Sequence, residues 1–134
     1  MTEEERERKA LSNLRLTRAR QHLKSARDLL AHEDFADSIS RSYYAVFQAA
    51  RAVLATEQLE SRKHSGVIAL FNQHFVKTEK LDKQLGVILK NARRHRELAD
   101  YSDLAEFVRE DAEEQLKDAE FFIVKIEKFL DEPQ

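Results

Sequence analysis

An antiparallel bundle of α-helices, four long and one short, is the all-α fold class this chain predicts, and three observations carry it. Two Gly and one Pro among 134 residues leave little material for hairpins or breaks. Charged residues make up 36%, and Ala, Leu, Glu, Lys and Arg, the residues with the highest helix preference, are abundant. Apolar residues also recur at three- and four-residue steps in one segment after another, the period of a single helix face. The length fits one domain spanning residues 1–134, and short loops between helices favour antiparallel neighbours.

Thr2 followed by Glu5 has the spacing of a capping box, so a first helix starts at about Glu3 and buries Leu16, Ala19, Leu23, Ala26 and Leu30. His22 and His32 fall off that stripe and read as surface residues. Asp34 can cap a second helix from about Phe35 to Glu57, with Ile39, Tyr43, Val46, Ala50 and Val53 on its buried face. On an adjoining face Arg41, Tyr44, Gln48 and Arg51 repeat a cation and phenol pattern. Residues 56–65 lose the period and form a loop, and Ser65 is placed to cap a short helix carrying Val67, Ile68, Leu70, Phe71 and Phe75. A fourth helix, about Lys80 to Asp100, buries Leu81, Leu85, Ile88, Ala92 and Ala99, with His95 near the same stripe. Ser102, Asp103 and Glu106 mark the start of a fifth, which turns Ala105, Val108, Ala112, Ala119, Ile123, Ile126 and Leu130 inward before Pro133 closes the chain.

Composition narrows the function classes. Without Cys there are no disulfides, no thiol nucleophile and no Cys-built zinc site, as suits a reducing cytoplasm. The acidic start Thr2-Glu3-Glu4-Glu5-Arg6 is no signal peptide, and no run of about 18 apolar residues is present to span a membrane. A cytoplasmic protein is expected. With 23 Lys and Arg against 25 Asp and Glu, the net charge of −2 gives no general attraction to nucleic acid, so any such binding is local. Charge is segregated: residues 103–132 hold eleven acids against four bases, a net of −7, whereas Lys90, Arg93, Arg94 and Arg96 crowd together without an acid. At about 100° per residue, Lys90, Arg94, Glu97 and Tyr101 make one polar stripe that can grip phosphate. The plainer alternative is a solvated face with internal ion pairs. His64, beside Arg62 and Lys63, is either part of an anion site or an ordinary loop histidine. There is no phosphate-binding Gly-rich loop, no His-Glu-x-x-His zinc helix and no nucleophile elbow, so neither metal nor cofactor is expected.

Three blocks share their order and spacing with a known family: Ser40-Arg41-Ser42-Tyr43-Tyr44-Ala45-Val46-Phe47-Gln48-Ala49-Ala50-Arg51-Ala52, then Lys63-His64-Ser65-Gly66-Val67 with Phe71 and Phe75-Val76-Lys77, then Arg96-Glu97-Leu98-Ala99-Asp100-Tyr101. Over about residues 15–130 the chain resembles the HEPN domain (higher eukaryotes and prokaryotes nucleotide-binding), in its small stand-alone bacterial and archaeal branch. The resemblance implies a helical bundle that dimerises, is often encoded beside a small nucleotidyltransferase, and forms a toxin–antitoxin or complex-forming pair with it. Ribonuclease members carry an Arg, four to six residues, a His, one residue and a Tyr at the dimer seam. Here Arg94 matches the Arg, Asp100 the intervening residue and Tyr101 the Tyr, but Ala99 stands at the His position. General acid–base catalysis, typically 10²–10⁴-fold, loses its imidazole there. The ligand-binding set implied is Arg41, Tyr44, Arg51, His64, Lys90, Arg94, Glu97, Asp100 and Tyr101, with Arg94 and Tyr101 the candidate catalytic pair. The expected protein is a homodimeric module binding a nucleotide or RNA beside a nucleotidyltransferase. The alternatives are a metal-independent ribonuclease toxin and a structural helical adaptor.

Overall fold

The computed structural model describes residues 1–132, so Pro133 lies outside the described residues. Its elements are α1 (Glu3–Ala31), α2 (Phe35–Ala55), α3 (His64–Phe71), a π-helical turn (Asn72–Val76), α4 (Lys83–Tyr101) and α5 (Arg109–Asp131). Four long helices and a short one form an all-α bundle, as the periodicity predicts, with no strand among the described residues.

Cross-helix contacts fix the directions. Ser12 and Arg15 of α1 bond the carbonyls of Ala52 and Arg51, while Ser38 at the other end of α2 bonds that of Ala26, so position rises along α1 as it falls along α2. The same inversion relates α1 to α5 through the Arg20–Glu127 and Arg27–Glu120 pairs. Tyr44–Arg96 and Ser40–Asp100 relate α2 to α4 in the same way. The bundle therefore runs up, down, up, down.

Helix α2 is the centre. It packs on α1, α3, α4 and α5, and the predicted face, Ile39, Tyr43, Val46, Ala50 and Val53, is buried. Alanines line the α1–α2 seam at Ala19, Ala26, Ala45, Ala49 and Ala52, all fully buried, which brings the two backbones close enough for the serine bridges. The core continues through Leu85, Ile88 and Leu89 of α4 and Ala119, Phe122, Ile123 and Ile126 of α5.

Several boundaries differ from the sequence expectation, each for a local reason. Helix α4 starts at Lys83, not Lys80, because the Asp82 carboxylate accepts the Gln84 N–H at 2.9 Å. Helix α5 starts at Arg109, not near Asp103: Asp111 Oδ2 accepts the Val108 N–H at 2.9 Å and closes the first turn there. Residues 102–108 are consequently a connection, Val108 is exposed, and Ala105 is only half-buried. Helix α3 begins at His64, with Ser61 Oγ accepting the Lys63 N–H, rather than after Ser65. Asp34 makes no side-chain cap, whereas Thr2 Oγ1 does accept the Glu5 N–H.

The ends of α1 and α2 show why few glycines suffice. Glu33 and Gln58 take positive φ of 64° and 56° in the left-handed conformation usual for glycine, and the next N–H, of Asp34 or Leu59, reaches back to Leu29 or Leu54. The two real glycines sit inside helices instead. A Cβ on Gly86 would lie 2.5 Å from Asn72 Oδ1, and one on Gly66 would collide with Ser61 Oγ.

Candidate functional site

Helices α1 and α4 flank the α2–α5 pair without packing on each other. The outward stripe of α2, Arg41, Tyr44, Gln48 and Arg51, therefore lies between α1 and α4, and a groove of two concavities follows its α1 side.

On the α4 side the centre is Arg96, whose side chain is 16% exposed. Its Nη2 donates to Tyr44 Oη at 2.7 Å. Its Nε lies 2.9 Å from Asp100 Oδ2, an ion pair that lacks the alignment of a hydrogen bond. Its guanidinium carbon is 5.2, 5.3 and 6.0 Å from the ring centroids of Tyr101, Tyr44 and Tyr43, within cation–π range. Ser40 Oγ donates to the same Asp100 oxygen at 3.4 Å. Burial works against the Arg96 charge, but Tyr44, Asp100 and Tyr101 together outweigh it and raise its pKa, so the cation is fixed in place.

Beneath Arg96, Tyr43 is fully buried with its hydroxyl 2.7 Å from His64 Nδ1, and burial raises the phenol pKa. A buried O–H needs an acceptor, so we assign Tyr43 as donor and the His64 proton to Nε2. His64 stacks on Phe47 at 4.2 Å. Burial first, then Arg96, Arg93 and Arg51, lower its pKa, leaving a neutral imidazole at pH 7. On the α1 wall His22 Nδ1 lies 3.4 Å from Arg41 Nη1, and its ring is 5.7 Å from that of Tyr44. Burial, then Arg41, lower its pKa as well. Two adjoining concavities follow this wall, one between Gln21, His22, Ser25 and Asp28 and the next between Asp37, Ser40 and Tyr44, sharing Leu29 and Arg41.

Of the residues singled out from sequence, Tyr44, Asp100 and Tyr101 meet at Arg96, with Arg41 and His64 on either side. Glu97 pairs with Arg93 at 3.1 Å instead of Arg94. Arg51 lies farther along α2, over Phe47 and near Glu60. Lys90 and Arg94 are exposed and are not drawn into the cluster; neither side chain makes a hydrogen bond, ion pair or ring contact with another described residue. Sequence reasoning missed Arg96 as the centre, and it missed Tyr43 and His22. The signal for Arg96 was its four-residue spacing to Asp100, which on a helix permits the ion pair. His22 was read as surface because it lies off the apolar stripe of α1, but it faces the groove.

The cluster offers one fixed cation among three phenol rings, with neutral imidazoles at both flanks. Such an arrangement suits a phosphate with an adjoining ring. No group of His, Asp and Glu fit to hold a metal occurs among the described residues, and no helix is long and apolar enough to cross a membrane.

Several known proteins are similar to this chain. A protein of Thermotoga maritima named "UPF0332 protein" is 40% identical over 115 residues, 86% of this chain and 87% of the relative. Two proteins of Methanocaldococcus jannaschii are also similar. "Putative toxin MJ0142" is 33% identical over 86% of this chain and 78% of its own length, and "Putative toxin MJ0605" is 34% identical over 85% and 84%. The model of the HEPN domain matches residues 12–129, which takes in α2, α3, α4, α1 from Ser12 onward and nearly all of α5, and on that match the chain belongs to the HEPN domain family.

Proposed function

We propose that the protein is a toxin-type HEPN module, a homodimer that binds a nucleotide or RNA through the Arg96 cluster and works with a nucleotidyltransferase partner. Residues 1–134 act as one domain in this reading, supported by a core continuous across all the helices. The observation that carries the ligand reading is Arg96. It is a largely buried guanidinium held between Tyr43, Tyr44 and Tyr101, partly neutralised by Asp100, at the edge of an open groove. A phosphate can take the Arg96 charge while a base or ribose lies along the groove wall at Arg41 and His22. Tyr101, 72% exposed at the end of α4, then closes over the ligand, and Lys90, Arg94 and Glu97 form an outer rim. The toxin role is supported by the names of the Methanocaldococcus relatives.

Binding, rather than RNA cleavage, is the favoured activity. Ala99 supplies no imidazole, and His64 points a protonated Nε2 rather than a free lone pair when Tyr43 donates to Nδ1. Titration calorimetry with ATP and with a mixed-sequence oligoribonucleotide tests the reading. Arg96→Gln should lose about 10–100-fold in affinity, the worth of a charged hydrogen bond, with the fold retained by circular dichroism. Wild-type affinity in that variant would remove the site. Metal-independent cleavage of the oligonucleotide by the wild type, abolished in Arg96→Gln, would replace binding with catalysis.

A further inference from the structure

A second basic constellation lies at the far end of α2, and the Arg96 cluster does not use it. Arg15 of α1 is only 4% exposed, the one buried cation among the described residues. Its Nη1 donates to the Arg51 carbonyl at 3.0 Å, and its Nη2 donates to Glu60 Oε1 at 3.1 Å. Arg51 aims its own Nη2 at that same oxygen from 3.7 Å. Two guanidinia thus converge on one carboxylate oxygen while the second oxygen makes no hydrogen bond, leaving one positive charge uncompensated. Burial and the Arg51 charge depress the Arg15 pKa, and Glu60 offsets only part of this.

Glu60 is itself loosely held. Its side chain is 67% exposed and sits on the connection after α2. It also borders two concavities, one lined by Glu4, Glu7, Arg8, Leu11, Arg15 and Leu59, the other by Phe47, Arg51, Ser61, Arg62 and His64. The Glu60 carboxylate is solvated well enough to turn into water, and the cost of its departure falls on Arg15, which then needs another anion. A phosphate placing its oxygens between the two Nη2 groups would replace one acceptor with several and bring a larger negative charge, with Arg62 at the rim.

We propose that Arg15 and Arg51 form a second anion site, for a phosphate group, in which Glu60 is the resident stand-in. The site does not depend on ligand binding at Arg96. Its phosphate belongs either to a small phosphoester or to an RNA backbone, and the test separates the two.

The experiment is thermal melting and titration calorimetry of the full chain with Glu60→Gln. In chloride the variant melts below wild type, because Arg15 has lost its counter-charge. Inorganic phosphate then lifts its melting temperature more than chloride of equal ionic strength does, and binds on the order of tenfold more tightly than to wild type. Adding Arg51→Gln abolishes both effects, whereas adding Arg96→Gln leaves them intact. An oligoribonucleotide that gains affinity in Glu60→Gln and loses it with Arg51→Gln identifies RNA as the source; phosphate binding without that gain identifies a small phosphoester. If phosphate protects Glu60→Gln no better than matched chloride, Glu60 is only an ion-pair partner and the proposal is overturned. Should Glu60→Gln fail to fold, the wild type carries the test: phosphate-specific protection removed by Arg51→Gln supports the site, and its absence rejects it.

Discussion

A single hydroxyl and two imidazoles govern much of the groove. Tyr44→Phe removes the 2.7 Å bond to Arg96 and leaves the ring in place. The expected cost is about 0.5–1.5 kcal/mol of stability, read by urea denaturation, together with weaker ligand binding because the guanidinium is no longer fixed. No change in either quantity would make the bond incidental. His64 and His22 both have pKa values depressed below the ordinary value of about 6.5, chiefly by burial, so the folded protein holds them neutral. The unfolded chain then binds more protons in this range, and the stability they confer is full above about pH 6.5 and declines as pH falls toward the folded values. Melting temperature should drop between pH 7 and pH 5.5, and His64→Gln should flatten part of that slope. An unchanged profile in the variant would assign the drop elsewhere. The position of Arg96 was hidden in the sequence for a residue-level reason: Arg94 and Tyr101 share a face on a helical wheel, but a long guanidinium is placed by what it reaches, here Tyr44 on another helix.

Among the elements, the long amphipathic helices and the starts of α1 and α2 were legible, and the starts of α3, α4 and α5 were not. Ser102, Asp103 and Glu106 have the spacing of a helix start, yet the chain defers the turn to Asp111, whose carboxylate lies within reach of the Val108 N–H. Helix ends at Glu33 and Gln58 carry no glycine signal, because ordinary residues take the left-handed cap. That choice costs roughly 1–2 kcal/mol per non-glycine residue, so Gln58→Gly should stabilise the protein by about 1 kcal/mol, visible as a rise in melting temperature. A loss of stability would mean that the Gln58 side chain contributes more than its backbone costs. Gly66→Ala should act in the opposite direction, since the new methyl meets Ser61 Oγ and displaces the loop that leads into α3 and His64.

At the scale of the whole molecule, the bundle order and the central place of α2 followed from apolar spacing, but which helices leave a gap between them did not. Periodicity records which side of a helix is covered and is silent about which neighbour covers it. That α1 and α4 stay apart and leave the stripe of α2 between them is a packing outcome of the full bundle. Beyond the groove the last turn of α4 and the connection to α5 expose Leu98, Tyr101, Leu104 and Val108. An exposed apolar strip of this kind is what a second subunit would cover. Sedimentation at tens of micromolar, the order at which standard-size interfaces persist, should give a dimer. Leu104→Glu, at a residue 94% exposed, should give monomers with an unchanged melt in dilute solution. A dimer that tolerates the glutamate would place the seam on another face.

The alanine seam between α1 and α2 has one more consequence, in time rather than in space. Backbones that approach closely and are pinned at both ends by buried serines, Ser12 to Ala52 and Ser38 to Ala26, have no independent way to part. Amide protons there should exchange with solvent only when the whole chain opens, whereas those of residues 98–108 should exchange through local opening, orders of magnitude sooner. The groove along α1 and α2 would then be fixed, while the end of α4 beside it breathes. Ligand residence would be set by how often Tyr101 and the turn around it lift away.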